Sequence, residues 1–345
     1  MMRNIDVIAP NFKRRFSGVT STILRLVPVQ ARDIDIVATG PGLPDHLPHV
    51  SVWRLLFLPR DRWRVWHARR NTEMLGGLIL RFIFRRRLRL LFTSAAQRRH
   101  SGYTRWLIRR MDAVVATSTR AAAFLERDAQ VIMHGVDADS FAPATDRTAI
   151  RAQLGLPDGV LIGCYGRVRH QKGVDLFIET LLRVLPDHAD AHGIVMGRTT
   201  EQHAGFTAAL KARVAEAGLS GRVHFLDEKP LEELAVRFRA LDIYVAPQRW
   251  EGFGLTPLEA MSSGVPVVAT RVGAFEDLIA DGETGTLVEI EDVDAMAAAL
   301  HDLLADPAKR ATWAQAARAR VLAGFRIEDE AATLIALYRR LLAAA

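Results

Sequence analysis

With a single cysteine, Cys164, the 345-residue chain cannot form an internal disulfide, and that cysteine lies inside an apolar run. A reducing compartment is expected. Long apolar stretches are also lacking. The richest, Met74 to Phe92, is broken by Arg81, Arg85, Arg86, Arg87 and Arg89, which leaves it short of the ~20 apolar residues that a membrane span needs. The start, Met-Met-Arg-Asn-Ile-Asp-Val-Ile-Ala-Pro, has no signal-peptide core, so a cytoplasmic location is expected. The chain has no P-loop, complete dinucleotide glycine fingerprint, short-period repeat or low-complexity tract. His67 and His100 sit among arginines without metal-ligand spacing. Asp33-Ile34-Asp35 alternates as the start of a strand does, and no protein-bound metal or cofactor is expected.

Lysine is nearly missing from the first 150 residues, where Lys13 stands alone. That half carries 25 Lys/Arg against 12 Asp/Glu, while residues 151–345 carry 21 against 27. Such polarity points to an anionic partner for the first half: a nucleic acid, a membrane surface or an acidic substrate. Arginine in place of lysine favours bidentate contact with carboxylates or phosphates. Solvated arginines encoded by a GC-rich genome would give the same numbers. Hydrophobic residues at 49% and charged residues at 25% describe a folded chain, and its length suits two domains.

Short β-branched apolar runs alternate with amphipathic ones, the pattern of βαβ units about a parallel sheet. In the first half, strands are predicted near residues 5–9, 34–39, 90–93, 113–117 and 130–133. In the second half they are predicted near 160–165, 193–196, 223–226, 243–246, 266–269 and 286–288. Pro143, Pro157 and the polar stretch between them mark a domain boundary near residue 150. The run 327–342 has helical spacing and is expected to return to the first domain. The fold class is therefore α/β: two Rossmann-like, doubly wound parallel-sheet domains facing a cleft. Residues 1–150 with helix 327–345 would form one domain, and 151–326 the other.

Three constellations carry chemistry. The first, Trp250-Glu251-Gly252-Phe253-Gly254-Leu255-Thr256-Pro257-Leu258-Glu259, follows a predicted strand and opens a predicted helix with Thr256 as its N-cap. A loop at the carboxyl end of a parallel strand, facing a helix N-terminus, is where an open α/β sheet binds anions such as a diphosphate. Thr256-x-x-Glu259 is also a capping box that would need no ligand. Glu251, Gly252, Phe253, Gly254 and Leu255 are not explained that way. The second, Gly163 to Asp175, sets Arg167 and Lys172 in a glycine-bounded loop, Gly166 to Gly173, where they could clamp two phosphates and stabilise a leaving diphosphate. Solvated loop charges are the plain alternative. The third, Asn11 to Thr22, lies between the first strand and a helix: Gly18 allows close approach to a ligand, and Lys13, Arg14 and Arg15 offer anion contacts.

These residues resemble the retaining GT-B glycosyltransferases marked by two glutamates with seven residues between them, here Glu251 and Glu259. The resemblance implies that Glu251 faces the donor sugar, that the Phe253 and Gly254 amides contact sugar or phosphate, that Glu259 binds ribose, and that Arg167 and Lys172 hold the diphosphate. Gly18, expected to contact the donor, and the Gly135-Val136-Asp137, Phe141 and Pro143 pattern support it. The chain departs from the family at His134, where an asparagine is usual, and at Thr93-Ser94-Ala95-Ala96, where a histidine is usual; His100 is a candidate substitute.

More narrowly, residues 14–22, 65–71 and 93–100 look like the bacterial mannosyltransferases of lipopolysaccharide core assembly. Their likeness implies GDP-mannose as donor and an acidic glycolipid acceptor bearing Kdo, with Arg14, Arg15, Arg98, Arg99 and His100 on the acceptor side. Phe82, Ile83 and Phe84 beside Arg85 to Arg87 suggest peripheral attachment to an anionic inner-leaflet surface; a buried helix capped by solvated arginines fits the same residues. A UDP-sugar-dependent transferase and a sugar-nucleotide epimerase remain alternatives. A non-enzymatic nucleic-acid binder would use the same basic half, but the paired acidic residues argue against it and no nucleic acid partner is expected.

Overall fold

The computed structural model describes residues 4–14 and 18–344. The chain divides into two compact units, residues 1–135 with 327–345, and 136–326. The first contains β1 (Val7–Pro10), α1 (Gly18–Gln30), β2 (Ile36–Thr39), α2 (Val52–Leu55), β3 (Arg64–Ala68) and α3 (Asn71–Leu78). It continues through β4 (Leu88–Ser94), α4 (Gly102–Ile108), β5 (Ala113–Ala116), α5 (Thr119–Ala123) and β6 (Gln130–Val131). The second contains α6 (Arg147–Leu154), β7 (Val160–Tyr165), α7 (Val174–Val184), β8 (Ala191–Met196), α8 (Ala204–Glu216), β9 (Val223–Leu226) and α9 (Leu231–Arg239). It closes with β10 (Ile243–Ala246), α10 (Leu255–Ser262), β11 (Val267–Thr270), α11 (Phe275–Leu278), β12 (Gly285–Val288), α12 (Val293–Ala305) and α13 (Pro307–Gly324). The last helix, α14 (Ile327–Ala343), belongs to the first unit.

Each unit holds a six-stranded parallel sheet, ordered β2-β1-β3-β4-β5-β6 in the first and β12-β11-β10-β7-β8-β9 in the second. Both are doubly wound, and in such a sheet ligands sit outside the strands' carboxyl ends where the order reverses. That point is β1/β3 in the first unit and β7/β10 in the second, where Ile243 pairs with Ile162 and Tyr244 with Gly163.

In the first unit, α1 and α14 cover one sheet face with Ile23, Leu26, Leu334 and Tyr338. The opposite face is covered by Leu55, Met74, Leu78, Leu107 and Ile108 from α2, α3 and α4. Strand β3 escapes the sequence pattern, because Arg64 and His67 stand in a strand buried along its whole length. Arg64 donates to the Pro59 and Arg62 carbonyls and pairs with Asp61 at 3.1 Å, which gives both terminal nitrogens of this 1%-exposed residue a partner. Asp33 and Ile34, expected at the start of a strand, instead close the turn after α1, their amides donating to Gln30 O. Strand β2 begins at Ile36.

Candidate functional site

The second unit's order reversal places the loop after β7 beside the loop after β10. The first is a single 3-10 turn, His170–Lys172, ended by Gly173 in a left-handed conformation with φ 67°. A Cβ on Gly173 would lie 1.8 Å from the Pro247 carbonyl oxygen, so only glycine lets the two loops approach this closely. The approach brings the Lys172 ammonium onto the Glu251 carboxylate as an ion pair. Both side chains remain partly open to solvent, at 22% and 17%. The other Glu251 oxygen accepts from the Gly252 amide at 3.0 Å.

Arg249 locks this geometry. Its guanidinium forks onto Asp175, at 2.8 Å to each oxygen, donates to His170 O at 2.7 Å and reaches Glu291 at 2.8 Å. The Asp175 carboxylate beside it holds its pKa above the ordinary arginine value. One side chain thus ties the first turn of α7, the 3-10 turn and the glutamate loop together. Arg249 was not legible as a site residue, and Asp175, at the end of the second constellation, gave no sign of this partner, since their pairing spans 74 positions and follows no local spacing.

Helix α10 starts two residues earlier than the capping pattern implies. Gly254, at φ 90°, is the N-cap and offers no side-chain acceptor, so Thr256 is not the cap. Beneath it the Tyr244 hydroxyl donates to the Tyr165 carbonyl at 3.2 Å, and burial pushes its pKa well above the ordinary value. With no side-chain cap and proline at the third helical position, the Leu255 and Thr256 amides at this end keep no helical acceptor. They and the helix dipole favour an anion there. Phe253 is buried, and its carbonyl accepts from the Ala274 amide at 3.0 Å, which fixes the loop. Glu259 is 4% exposed on the inner side of α10. Arg167 is half-buried and makes no hydrogen bond or ion pair with any described residue. Cys164 is buried in β7, which raises its thiol to about 12, so it is inert at neutral pH.

In the first unit, Gly18 opens α1, with nothing within 4 Å of an added Cβ. Arg14 is exposed, and Arg15 lies outside the described residues. Arg98 is exposed, while Arg99 shares Glu126 with Arg105, at 3.4 and 2.7 Å. His100 folds back on the end of β4, its Nε2 3.3 Å from Ser94 Oγ; desolvation, aided by the Arg98 charge, lowers its pKa. A separate cavity at the carboxyl ends of β3 and β4 is lined by Thr22, His67, Arg69, Thr93, His134 and Glu330. There His67 bridges the Tyr338 hydroxyl at 2.7 Å and Thr93 Oγ1 at 2.6 Å, and burial first, then the Arg69 charge, lowers its pKa well below the usual histidine value. His134 Nδ1 stands 2.8 Å from Glu330 Oε1.

Residues 146–320 match the model of the family described as glycosyl transferases group 1. The chain belongs to this family. This glycosyltransferase is 51% identical to the lipopolysaccharide core biosynthesis mannosyltransferase LpcC of Rhizobium leguminosarum bv. viciae, over 99% of this chain and 98% of the relative. It is 50% identical to the corresponding mannosyltransferase LpsB of Rhizobium meliloti (strain 1021), over 99% of each. Among solved structures, Anabaena Alr3699/HepE in complex with UDP superposes with a TM-score of 0.86 at 19% identity, over 97% of this chain and 100% of the other. That likeness shows the GT-B fold.

Proposed function

We propose that this glycosyltransferase moves mannose from GDP-mannose, with retention of anomeric configuration, onto an acidic glycolipid, the Kdo residue of the lipopolysaccharide inner core, in the cytoplasm. The observation that carries the reading is the Lys172–Glu251 pair at the order reversal of the second sheet, beside the uncapped start of α10. The end-to-end likeness to two rhizobial core mannosyltransferases supports the sugar and the acceptor.

In this reading the donor's diphosphate takes over Lys172 and engages Arg167 with the Gly254 and Leu255 amides, while Glu259 holds the ribose. Glu251, released from the ammonium, orients the mannose hydroxyls. The bond from the anomeric carbon to the phosphate oxygen breaks, and Lys172 and Arg167 stabilise the charge that develops on the leaving diphosphate. The acceptor hydroxyl bonds to the anomeric carbon on the same face and gives its proton to a donor phosphate oxygen. Glu251 forms no stable glycosyl intermediate. The second unit holds the donor; the first, with Arg14, Arg15, Arg98, Arg99 and His100, holds the acceptor.

A thermal-shift panel of GDP- and UDP-sugars, followed by mannose transfer to a Kdo-bearing lipid A precursor, tests the assignment. GDP-mannose should raise Tm and the acceptor should gain one hexose. Stabilisation by UDP-sugars alone would overturn the donor, and conversion of the donor without acceptor would favour an epimerase.

A further inference from the structure

The first unit presents an apolar face that nothing in its own fold covers. Helix α3 and the π-helical turn after it, Ile79–Ile83, bury Met74, Leu78 and Leu80 against the sheet. Their outer side is apolar as well. Leu75, Ile79, Phe82 and Ile83 recur at helical spacing and are exposed, the last two at 65% and 70%. A helix apolar all round belongs in a core or against a non-aqueous surface, yet this one leaves its outer side exposed.

Its neighbours repeat the arrangement. On α2 and just beyond it, Leu55 and Leu58 point inward, while Trp53 and Phe57 stand 75% and 74% exposed. On α4, Leu107 and Ile108 are buried, while Tyr103 and Trp106 stack outward with ring centroids 6.3 Å apart. The buried residues of all three elements join one core cluster on one side of the sheet, so their exposed residues project from that same side. Arg86 ties two of the segments together by donating to the Leu56 and Leu58 carbonyls. The charges are as uneven as the apolar pattern: residues 51–111 contain 16 arginines, no lysine and two acids, Asp61 and Glu73. Glu73 is fully buried. Arg110 lies over the Trp106 ring at 3.9 Å, and Arg54, Arg85 and Arg87 are exposed without an ion pair among the described residues.

We infer that this face, built from α2, α3 with its π-helical turn, and α4, docks on the surface of an anionic lipid bilayer. Trp53, Phe57, Phe82 and Ile83 enter the headgroup region, and the surrounding arginines meet lipid phosphates. Among the described residues, no helix is long and apolar enough to cross a membrane, so the contact is with the surface. Charge complementarity selects the bilayer over a second copy of this chain, whose matching face would bring the same arginines together.

Co-sedimentation of the full chain with vesicles of equimolar phosphatidylglycerol and phosphatidylcholine, and with pure phosphatidylcholine vesicles, tests this. Binding to the anionic vesicles with a blue-shifted tryptophan emission is expected, weakened by salt. Phe82→Ser with Ile83→Ser should lower the partition coefficient roughly tenfold or more, and Trp53→Ser should reduce the spectral shift. Nucleotide-induced thermal stabilisation should not change in these variants. Equal partitioning to both vesicle types, no binding, or a solution dimer that the serine variants dissolve would each overturn the inference. Because the vesicles hold neither donor nor acceptor, the result stands apart from the proposed reaction.

Discussion

In the second unit two cations near the order reversal meet carboxylates, Lys172 pairing with Glu251 and Arg249 with Asp175 and Glu291, while Arg167 makes no ion pair with any described residue. In the first unit Arg54, Arg85, Arg87 and Arg98 face solvent with no ion pair among the described residues, close in sequence to exposed Trp53, Phe82 and Ile83. The same doubly wound architecture thus carries two electrostatic designs. One holds two of its cations against carboxylates in fixed geometry. The other leaves cations and aromatics exposed to solvent.

The largest effect should come from breaking the paired site of the second unit. Lys172→Ala and Glu251→Ala should each lower kcat by about 10²–10³-fold, the size expected when a group aimed at developing charge is lost. Circular dichroism and Tm should stay near the parent values, since both side chains are partly exposed. Unchanged turnover in both would refute their roles. Gly173→Ala comes next. Its φ of 67° and a Cβ 1.8 Å from Pro247 O force the two loops apart, so stability should fall by about 1–3 kcal/mol and activity with it; thermal unfolding and initial rates read both.

Arg249→Lys sharpens the comparison, because an ammonium cannot reproduce the fork onto Asp175. A kcat loss of roughly tenfold is expected from misplacing Lys172, with a smaller change in nucleotide affinity. Equal kcat in Arg249→Lys and the parent would leave the residue without a positioning role.

The smallest effect concerns the first unit's interior. Burial keeps His67 neutral, its folded pKa well below the unfolded value of about 6.5. The unfolded chain then binds more protons below that value, so stability is full above about pH 6.5 and falls as pH drops toward the folded pKa. The limiting slope is about 1.4 kcal/mol per pH unit for one proton. His67→Gln should flatten the decline in denaturant midpoint between neutral and mildly acidic pH; an unchanged slope would assign the titration elsewhere.

What could be seen in the sequence follows from burial. The four central strands of the second sheet were legible because parallel strands covered on both faces read as continuous apolar runs such as Val160–Tyr165, and the edge strands β9 and β12 were legible too as short runs holding Val and Leu. Strand β3 was hidden because Arg64 and His67 are buried by partners that only the fold supplies. The glutamate loop stood out through its glycines, but the helix start did not: Thr256 looks like a cap until Gly254 is seen at positive φ. Arg249 stayed silent, as its meaning depends on Asp175, and the link from His67 to Tyr338 crosses 271 positions. Phe82, Ile83 and Phe84 read as one cluster, yet Phe84 turns inward against the core while the other two face out.

Calorimetric titration of GDP into the parent chain and into Lys172→Met is the most direct test of the central claim, that a diphosphate displaces Glu251 from Lys172 at the order reversal of the second sheet. The account predicts a Kd weakened at least tenfold, about 1.4 kcal/mol, the loss of one charged hydrogen bond. The same Kd in both proteins would contradict it.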